Sequence, residues 1–527
     1  MVDVFLSYRR ETGIECCSIL YEKLTSAGYH VFFDHNSLRQ GDFLDQIEKA
    51  ISECTFLLVV LSGKRDLARC FNDPEKDWIL HEVSLALEYG KIIIPVSFKS
   101  GFEFPEEEGS EQIDYLRRQE LCDISGPDMA SLISTKLFDF MEDVPAAKLK
   151  HDYIMGITDP HYLSWEIETL RGIYGECGLL RLFDKAYPVV TFKGSAEIKY
   201  PFDGLNPAEN LEPVGDPVPY ENTPHYHDFK KIIGPNVHYP NLYGFTNVGI
   251  DLDDNGMVIG FKAKPRMYKE TVFTGHILHY ELWKAYQEIG RERPAGLEDL
   301  PIRSMIHKDA DPRDVMLSGC NRSSLADVSI AILAYDEIEG DYDIAVATRT
   351  HNVTCYPGYL SIVPSGGFEL YELETKQNDW IIKKNFSIIA ALYREYIEEI
   401  FGDEDFSKPT GNDDLKRLYR NEHIKALRKG IGKKYFFEFL GVEMDLISLR
   451  PTFSFVLRID DPDFLYSNEI KKNEENEDIR FISLSVFEGI ALNCSEHDPL
   501  MPESAGVYEL LKNNHLFNEV KSGFQPS

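Results

Sequence analysis

The chain has 527 residues and a formal net charge of −33, from 88 acidic and 55 basic residues. It is too long for one hydrophobic core, since domains commonly hold about 100–200 residues. A surface this acidic repels a phosphate backbone, so nucleic acid is not an expected partner. The nine cysteines form no CxxC pair, and no apolar run approaches the ~20 residues of a membrane helix. We therefore expect a cytoplasmic protein with no membrane partner.

Short apolar segments alternate with helical patterns over the first hundred residues. The predicted strands are Val2–Tyr8, His30–Phe33, Thr55–Leu61 and Ile92–Val96, and the predicted helices are Glu15–Ala27, Asp42–Glu53 and Lys76–Tyr89. This alternation, with near-continuously apolar strands, predicts a parallel sheet covered by helices on both faces. The right-handed crossover rule favours a flavodoxin-like topology for this α/β domain.

Charged residues directly follow the first predicted strand, and a further charged residue lies within the last predicted helix. Arg9 and Arg10 stand at the strand's carboxyl end, and Glu82 lies four residues after Trp78. Parallel α/β sheets bind ligands at this edge, where guanidinium groups match phosphate oxygens. A pyrophosphate held there would leave a nearby carboxylate facing a ribose.

These segments resemble the TIR domain over residues 1–143, especially the TIR enzymes that cleave NAD. The resemblance lies in a first-strand motif at 3–10, a mobile loop at 33–43 and a catalytic helix at 77–82. It implies NAD as substrate without a cofactor, Glu82 as the catalytic carboxylate, and a homo-oligomer whose active site is shared between protomers. It implies these substrate-binding residues: Tyr8, Arg9, Arg10, Asp34, Leu38, Gly41, Phe43 and Trp78.

The implied chemistry suits a single carboxylate. Cleavage of the nicotinamide–ribose bond produces an oxocarbenium-like ribose, whose positive charge a carboxylate stabilises. Nicotinamide already carries its positive charge in NAD and needs no proton to leave. The plain alternatives are a solvated helix face for Glu82, a packing role for Trp78, and surface charges for Arg9 and Arg10.

The segment 144–148 is predicted to be a short linker, followed by an α+β extension over 150–325. Strands at 242–252 and 257–264 flank Asn255-Gly256, which we interpret as a hairpin turn. Although the segment 251–256 begins like a calcium loop, Lys262 occupies the position of the required Glu. Histidines also occur at 225, 227, 238, 276 and 279, with the first two expected on a strand, but their spacing does not favour a metal site.

Residues 326–527 resemble a Nudix domain, which implies a nucleotide-binding α+β fold. The resemblance rests on a predicted hairpin at 328–335 and 343–348, the Gly366-Gly367 loop, and the helical segment 394–399. Glu395, Glu398 and Glu399 are expected to share a helix face that a magnesium ion could bridge. Three features depart from the pattern: a longer separation between Gly367 and Arg394, an aromatic Tyr396, and a Gly402 that arrives one position late.

Together these domains suggest an immune or antiviral effector. A nucleotide second messenger or an ADP-ribose-like ligand at the Nudix-like domain would promote assembly of the TIR domains. Cleavage of NAD to nicotinamide and ADP-ribose, or its cyclic form, would follow. The alternatives are a non-catalytic TIR scaffold and a two-step enzyme whose Nudix part hydrolyses ADP-ribose.

Overall fold

The computed structural model describes most of the chain, in two compact units, Met1–His151 and Asp152–Ser527. The described residues are 4–27, 29–33, 43–62, 77–89, 91–104, 111–119, 121–126, 128–175, 178–215, 218–233, 243–349, 359–370, 379–403, 414–467, 479–493 and 500–526. No helix in these ranges is both long and apolar enough to cross a bilayer. The three-domain division at 143–150 and 325–326 stays a prediction.

A five-stranded parallel sheet organises the first unit. Its strands are β1 Val4–Tyr8, β2 Val31–Phe32, β3 Phe56–Leu61, β4 Ile92–Ser97 and β5 Cys122–Asp123. Their order is β2-β1-β3-β4-β5, and every neighbouring pair is parallel. This is the flavodoxin-like order, so the predicted fold class is confirmed. The strand ends differ from the predicted ends by no more than two residues.

Helices cover both faces of this sheet. They are α1 Arg10–Ser26, α2 Phe43–Glu53, α3 Trp78–Glu88, α4 Glu111–Arg118, α5 Met129–Leu132 and α6 Phe138–Ile157, with a π-helical segment Ile133–Leu137 between the last two. Successive side chains of β1 enter opposite cores because a strand alternates its faces. Phe5 packs in the same core as Ile79 of α3, whereas Leu6 packs in the same core as Leu20 of α1.

The predicted linker at 144–148 is wrong, because α6 runs through it. Pro145 signals a break, but proline preference is a local tendency that the surrounding structure can override. The division between the two units falls inside this helix, between His151 and Asp152.

The second unit contains a mixed eight-stranded sheet. Its strands are β8 Val189–Lys193, β11 Asp327–Asp336, β12 Asp341–Thr348, β13 Leu360–Ile362, β14 Ser365–Gly367, β15 Tyr435–Asp445, β16 Pro451–Ile459 and β17 Arg480–Ser483. The main order is β13-β12-β11-β16-β15-β8, with β14 paired to β11 and β17 to β12. Two antiparallel pairs stand apart, β6 Leu180–Leu182 with β7 Lys185–Tyr187 and β9 Tyr243–Leu252 with β10 Val258–Met267.

The helices of the second unit lie between and after these strands. They are α7 Pro160–Tyr174, α8 Tyr226–Ile233, α9 Tyr268–Thr271, α10 Ile277–Ile289, α11 Pro301–Ile306, α12 Pro312–Ser318, α13 Asp379–Asn385, α14 Ile388–Glu395, α15 Asp414–Arg420, α16 Glu422–Gly430, α17 Phe464–Ser467, α18 Leu484–Asn493, α19 Pro502–Lys512 and α20 His515–Lys521. Two π-helical segments, Val272–His276 and Tyr396–Ile400, precede α10 and follow α14.

Both predicted hairpins of this unit are confirmed. β9 pairs antiparallel with β10, and β11 with β12. In the first hairpin, Asp253 Oδ1 accepts the backbone N–H groups of Asn255 at 2.9 Å and Met257 at 2.8 Å, while Gly256 has a φ of 76°. Glycine adopts this left-handed conformation without a steric cost. The expected strand around His225 and His227 is wrong, because α8 begins at Tyr226.

Candidate functional site

The carboxyl end of β1 meets α3 through a hydrogen bond between Ser7 and Glu82. The hydroxyl of Ser7 donates to Glu82 Oε2 at 2.6 Å. Ser7 is fully buried and Glu82 is only 9% exposed, so Glu82 does not lie on a solvated helix face. A hydrogen bond to a carboxylate is stronger than one between neutral groups and fixes its orientation. The pair thus holds a carboxylate at the ligand-binding edge of the sheet.

Arg9 and Asp77 form a buried ion pair beside this carboxylate. Arg9 donates through a terminal guanidinium nitrogen to Asp77 Oδ2, and both residues are buried. Asp77 also caps α3, where its Oδ1 accepts the backbone N–H of Leu80 at 3.2 Å. Asp77 thereby ties the start of α3 to the end of β1. A cap with this geometry is worth about 1 kcal/mol.

Three of the predicted substrate residues lie around this pair. Tyr8 is half-buried and contacts Phe33 with its ring, at 5.4 Å between centroids. Arg10 is exposed at the first position of α1. Trp78 is 46% exposed at the start of α3, and its ring is nearly perpendicular to that of His81, with 5.9 Å between the ring centroids. Such exposure disagrees with a core-packing role for Trp78.

Most of the predicted mobile loop, residues 34–42, lies outside the described residues. Asp34, Leu38 and Gly41 are not described, and Phe43 is described only as the first residue of α2, without its side chain. Their predicted roles at the substrate therefore stay predictions.

One further residue belongs to this site that the sequence reasoning did not select. Ser7 could have been noticed as a polar residue inside an apolar strand. Cys17 of α1 is fully buried, and burial, with Cys16 and Glu82 adding to it, raises the pKa of its thiol far above the usual range. The neutral thiol belongs to the apolar core that Leu6 and Leu20 share.

In the second unit, Arg394 supplies the positive charge for the predicted acidic helix face. Its guanidinium bonds to Glu395, to Glu369 Oε2 at 3.2 Å and to the Gly367 carbonyl at 2.7 Å, and its Nε lies 3.7 Å from Glu398 Oε1. Although burial alone would lower it, the pKa of Arg394 is raised by these carboxylates.

Two of the three departures from the Nudix pattern coincide with particular elements of this structure. The extra length before Arg394 contains the additional helix α13 Asp379–Asn385. The π-helical segment Tyr396–Ile400 accommodates one extra residue, as such segments do, so Gly402 arrives one position late. Gly402 has a φ of 61°, which suits the end of a helix.

The three carboxylates of the acidic helix have partners within the protein, and a magnesium ion there stays a prediction. Arg394 bonds to Glu395 and lies close to Glu398, and Glu399 Oε2 accepts the backbone N–H of Ser365 at 2.9 Å. A cation bridging all three carboxylates would have to share them with Arg394 and with the backbone of Ser365. Across the part of the chain that the structure describes, no group of three or more His, Cys, Asp or Glu side chains is arranged to hold a metal.

The histidines of the second unit have protein partners. His276 Nε2 lies 2.7 Å from a terminal nitrogen of Arg450, and His279 Nε2 lies 3.4 Å from Glu166 Oε1. Burial lowers the pKa of His276 to about 3, so its ring is neutral and accepts the hydrogen bond from Arg450. His238 lies outside the described residues.

Comparison with known proteins confirms the assignment of the first unit. The TIR domain family model matches residues 4–126, and this segment is therefore a TIR domain. The chain is 39% identical over 108 residues to the NAD(+) hydrolase tir-1 of Caenorhabditis elegans and 36% identical over 108 residues to the NAD(+) hydrolase sarm1 of Drosophila melanogaster. Each alignment covers 20% of this chain but only 11% and 8% of the two relatives, so the chain spans a small part of their length.

The second unit has structural neighbours of low similarity. A NUDIX hydrolase from Alicyclobacillus acidocaldarius is 12% identical, with 39% of this chain and 98% of that chain covered and a TM-score of 0.24. A score this low supports no argument about function.

Proposed function

We propose that this chain cleaves the nicotinamide–ribose bond of NAD at its TIR unit, releasing nicotinamide and leaving ADP-ribose when water attacks the ribose or cyclic ADP-ribose when a group of the same molecule attacks it. The observation that carries the proposal is the buried Glu82 carboxylate, oriented by Ser7 at the carboxyl edge of the parallel sheet. The relatives named NAD(+) hydrolases support the same activity.

Glu82 stabilises the positive charge that develops on the ribose as the nicotinamide bond breaks. A carboxylate fixed before the reaction gives this stabilisation without reorganising, and removing one such group typically costs about 10²–10³-fold in rate. Arg10 binds the pyrophosphate, and Trp78 offers its exposed ring to a base of the substrate. Arg9 acts mainly through Asp77, because their ion pair positions the start of α3.

The second unit senses a nucleotide-type ligand in this proposal, and ligand binding favours an assembled state of the TIR units. Binding shifts the equilibrium only if the ligand binds the assembled state more tightly. The biological role would then be immune or antiviral defence, with NAD loss as the effect.

Two alternatives make different predictions. A non-catalytic scaffold would not need a carboxylate that is both buried and oriented, so the Ser7–Glu82 pair argues against it. A two-step enzyme would hydrolyse ADP-ribose at the acidic helix of the second unit. The long separation between Gly367 and Arg394 argues against that reaction.

The experiment that tests the proposal is incubation of the purified full chain with NAD and a panel of nucleotides, with nicotinamide measured by chromatography. Glu82→Gln should reduce nicotinamide release by about 10²-fold or more, since the neutral amide cannot stabilise the ribose cation. Glu88→Gln is the matched control, because Glu88 is exposed on the same helix. Equal turnover in the wild type and Glu82→Gln would reject Glu82 as the catalytic carboxylate.

A further inference from the structure

The hairpin that joins β11 to β12 in the second unit carries a cluster of carboxylates. Five acidic residues and no basic residue occur between positions 336 and 343: Asp336, Glu337, Glu339, Asp341 and Asp343. Asp336 Oδ1 accepts the backbone N–H groups of Ile338 at 2.8 Å and of Glu339 at 3.3 Å, which orders the turn. Among the described residues, none of these five carboxylates pairs with a cation. We call the segment 336–343 the acidic hairpin.

The carboxylates of the acidic hairpin repel one another. Burial raises the pKa of Asp343 to about 6, and the charges of Asp336, Asp341 and Glu339 add to this shift. Neighbouring like charges disfavour the ionised form, and nearby cations favour it. A cationic surface from outside would therefore relieve a repulsion that the hairpin does not relieve by itself.

A basic segment of the same unit leads into β15. Eight of the nineteen residues from 416 to 434 are basic and one is acidic, in a chain whose net charge is −33. Four of these basic residues, which we call the basic corner, are exposed near the end of the segment: Lys425, Arg428, Lys429 and Lys433. The described part of the chain places no carboxylate within ion-pair distance of these four, whereas Lys434 pairs with Asp461 at 2.8 Å.

The dipole of α16 accounts for only part of the basic corner. Arg428 and Lys429 lie in the last turn of this helix, where positive charge is favourable. Lys425 and Lys429 are four positions apart, however, and like charges at this spacing destabilise a helix. Lys433 lies beyond the helix, in a turn where its backbone N–H donates to the Gly430 carbonyl at 2.9 Å. The helix therefore does not explain Lys425 and Lys433.

The register of the sheet places the acidic hairpin and the basic corner at the same end. Ala334 of β11 pairs with Ile459 of β16, and Ile459 pairs with Tyr435 of β15. The hairpin follows Ala334 and the basic corner precedes Tyr435, so two strand spacings, roughly 10 Å, separate the places where they leave the sheet. Adjacent surfaces of opposite charge are self-complementary, because a second copy related by a twofold rotation presents each surface to its opposite.

Two apolar side chains accompany the acidic hairpin. Ile338 is 76% exposed in its turn, and Tyr466, which is 54% exposed, donates its hydroxyl to Asp336. Charged groups at an interface mainly set its orientation and its rate of formation, whereas burial of apolar surface drives association. This end of the sheet offers both contributions.

We propose that two copies of this chain associate through this end of the sheet, with the acidic hairpin of each copy against the basic corner of the other. A nucleic acid is a poorer occupant of the basic corner, because the acidic hairpin beside it repels phosphates within the screening distance of about 10 Å. The inference deepens the proposed function by naming a contact through which copies assemble. Its part in NAD cleavage rests on that proposal, whereas the association itself does not.

The test is sedimentation equilibrium of the purified full chain. We expect a dimer whose dissociation constant rises by about tenfold or more between about 50 mM and about 500 mM sodium chloride, because salt screens exposed charges. Lys429→Glu with Lys433→Glu should weaken the dimer by about tenfold or more, and so should Glu337→Lys with Glu339→Lys, because each places like charges together. The second pair of substitutions makes the chain less negative, so relief of general repulsion would strengthen the dimer instead.

Exchange of the charges gives a result that misfolding cannot imitate. A chain with all four substitutions has both surfaces inverted and should dimerise again. An equimolar mixture of the two double variants should form a heterodimer, because one variant has two acidic surfaces and the other has two basic surfaces.

Arg171→Glu with Arg181→Glu is the matched control, because both arginines are exposed in the second unit and lie outside the two surfaces. Ile338→Ser should weaken the dimer without a change of charge. Met305→Ser, at a residue that is 60% exposed on α11, should not weaken it. Melting temperatures establish that each variant folds.

The proposal is overturned if the full chain stays a monomer up to about 100 μM in low salt. It is also overturned if neither charge reversal weakens the dimer, if the arginine control weakens it as much, or if the four-fold variant does not dimerise. A monomer that binds a labelled oligonucleotide, and loses this binding in Lys429→Glu with Lys433→Glu, would assign the basic corner to nucleic acid.

Nicotinamide release, measured in parallel, separates this inference from the proposed function. Loss of the dimer with unchanged NAD cleavage would support the contact and reject its part in assembling the TIR units. A charge-dependent dimer that releases no nicotinamide with any nucleotide of the panel would support the contact and reject the proposed NAD cleavage.

Discussion

Ser7 and Glu82 are 75 positions apart in the chain, yet the hydroxyl of one donates a 2.6 Å hydrogen bond to the carboxylate of the other. The bond joins the carboxyl end of β1 to the middle of α3. Ser7 is inaccessible to solvent, so we expect that water does not take the place of its hydroxyl when the hydroxyl is removed. Ser7 is therefore a positioning residue for the proposed catalytic carboxylate.

Ser7→Ala should lower kcat for NAD cleavage by about 10-fold to 100-fold with a small change in KM. A hydrogen bond to a charged group contributes about 1.5–3 kcal/mol, and the proposed cation stabilisation needs the carboxylate held in place. Ser7→Thr should recover part of the rate because it restores a hydroxyl. Ser18→Ala is the control, since the Ser18 hydroxyl bonds only to the Ile14 carbonyl on an exposed face of α1. An unchanged kcat in Ser7→Ala would show that the bond does not position Glu82 for catalysis.

The neighbouring arginines Arg9 and Arg10 should give different phenotypes. Arg9→Ala leaves Asp77 buried without its cation, and breaking one side of a buried ion pair costs about 3–5 kcal/mol. We expect Arg9→Ala to lower the melting temperature of the TIR unit. Arg10→Ala, at an exposed position, should raise KM for NAD and change stability by less than about 0.5 kcal/mol. Thermal unfolding and initial rates measure both effects. Equal melting temperatures for the two variants would contradict the structural role of Arg9.

The sequence predicts the sheet of the first unit well, because buried parallel strands require unbroken apolar runs such as Phe56–Leu61. It also predicts the β9–β10 hairpin, because Asn255-Gly256 suits a tight turn. These features depend on local chemistry. The order of the five strands followed because right-handed crossovers leave few alternatives.

The partners of the site residues could not be predicted, because they depend on contacts between distant segments. The position of Arg9 directly after a strand predicts a phosphate ligand, and only the fold shows that Arg9 bonds to Asp77. In the same way, the sequence alone allows Glu82 to be a solvated helix residue, and only the fold shows that Ser7 bonds to it. The π-helical turn at Tyr396–Ile400 is visible in sequence only as a glycine one position late.

The acidic helix of the second unit should depend on Arg394 rather than on magnesium. Arg394→Gln would leave Glu369 and Glu395 without their buried cation, so we expect a loss of about 3–5 kcal/mol of unfolding free energy. Wild-type protein should melt at the same temperature in EDTA and in millimolar magnesium, as differential scanning fluorimetry can measure. Arg313→Gln, at an exposed position on α12, is the control. A clear rise in the wild-type melting temperature with magnesium would show that a cation binds despite Arg394.

The stability of the second unit should respond to pH through His276. Its pKa is lowered from 6.5 to about 3 by burial first and by Arg450 second, so the unfolded chain binds more protons than the folded one between these values. The contribution of His276 to the free energy of unfolding is fully present above pH 6.5. This contribution decreases as the pH drops towards 3. At pH 5 the loss amounts to about 2 kcal/mol, from 1.36 kcal/mol per pKa unit.

His276→Gln should remove this dependence, because the amide oxygen can accept from Arg450 but does not take up a proton. Asp327, whose pKa burial raises to about 8, acts in the opposite direction as the pH changes, so the informative quantity is the difference between variant and wild type. Urea unfolding followed by tryptophan fluorescence measures it, since Trp165, Trp283 and Trp380 lie in the second unit. We expect the variant to gain about 2 kcal/mol relative to the wild type between pH 7 and pH 5, while His161→Gln, at an exposed position, shows no such gain. A constant difference between His276→Gln and the wild type at the two pH values would mean that His276 is protonated in the folded protein.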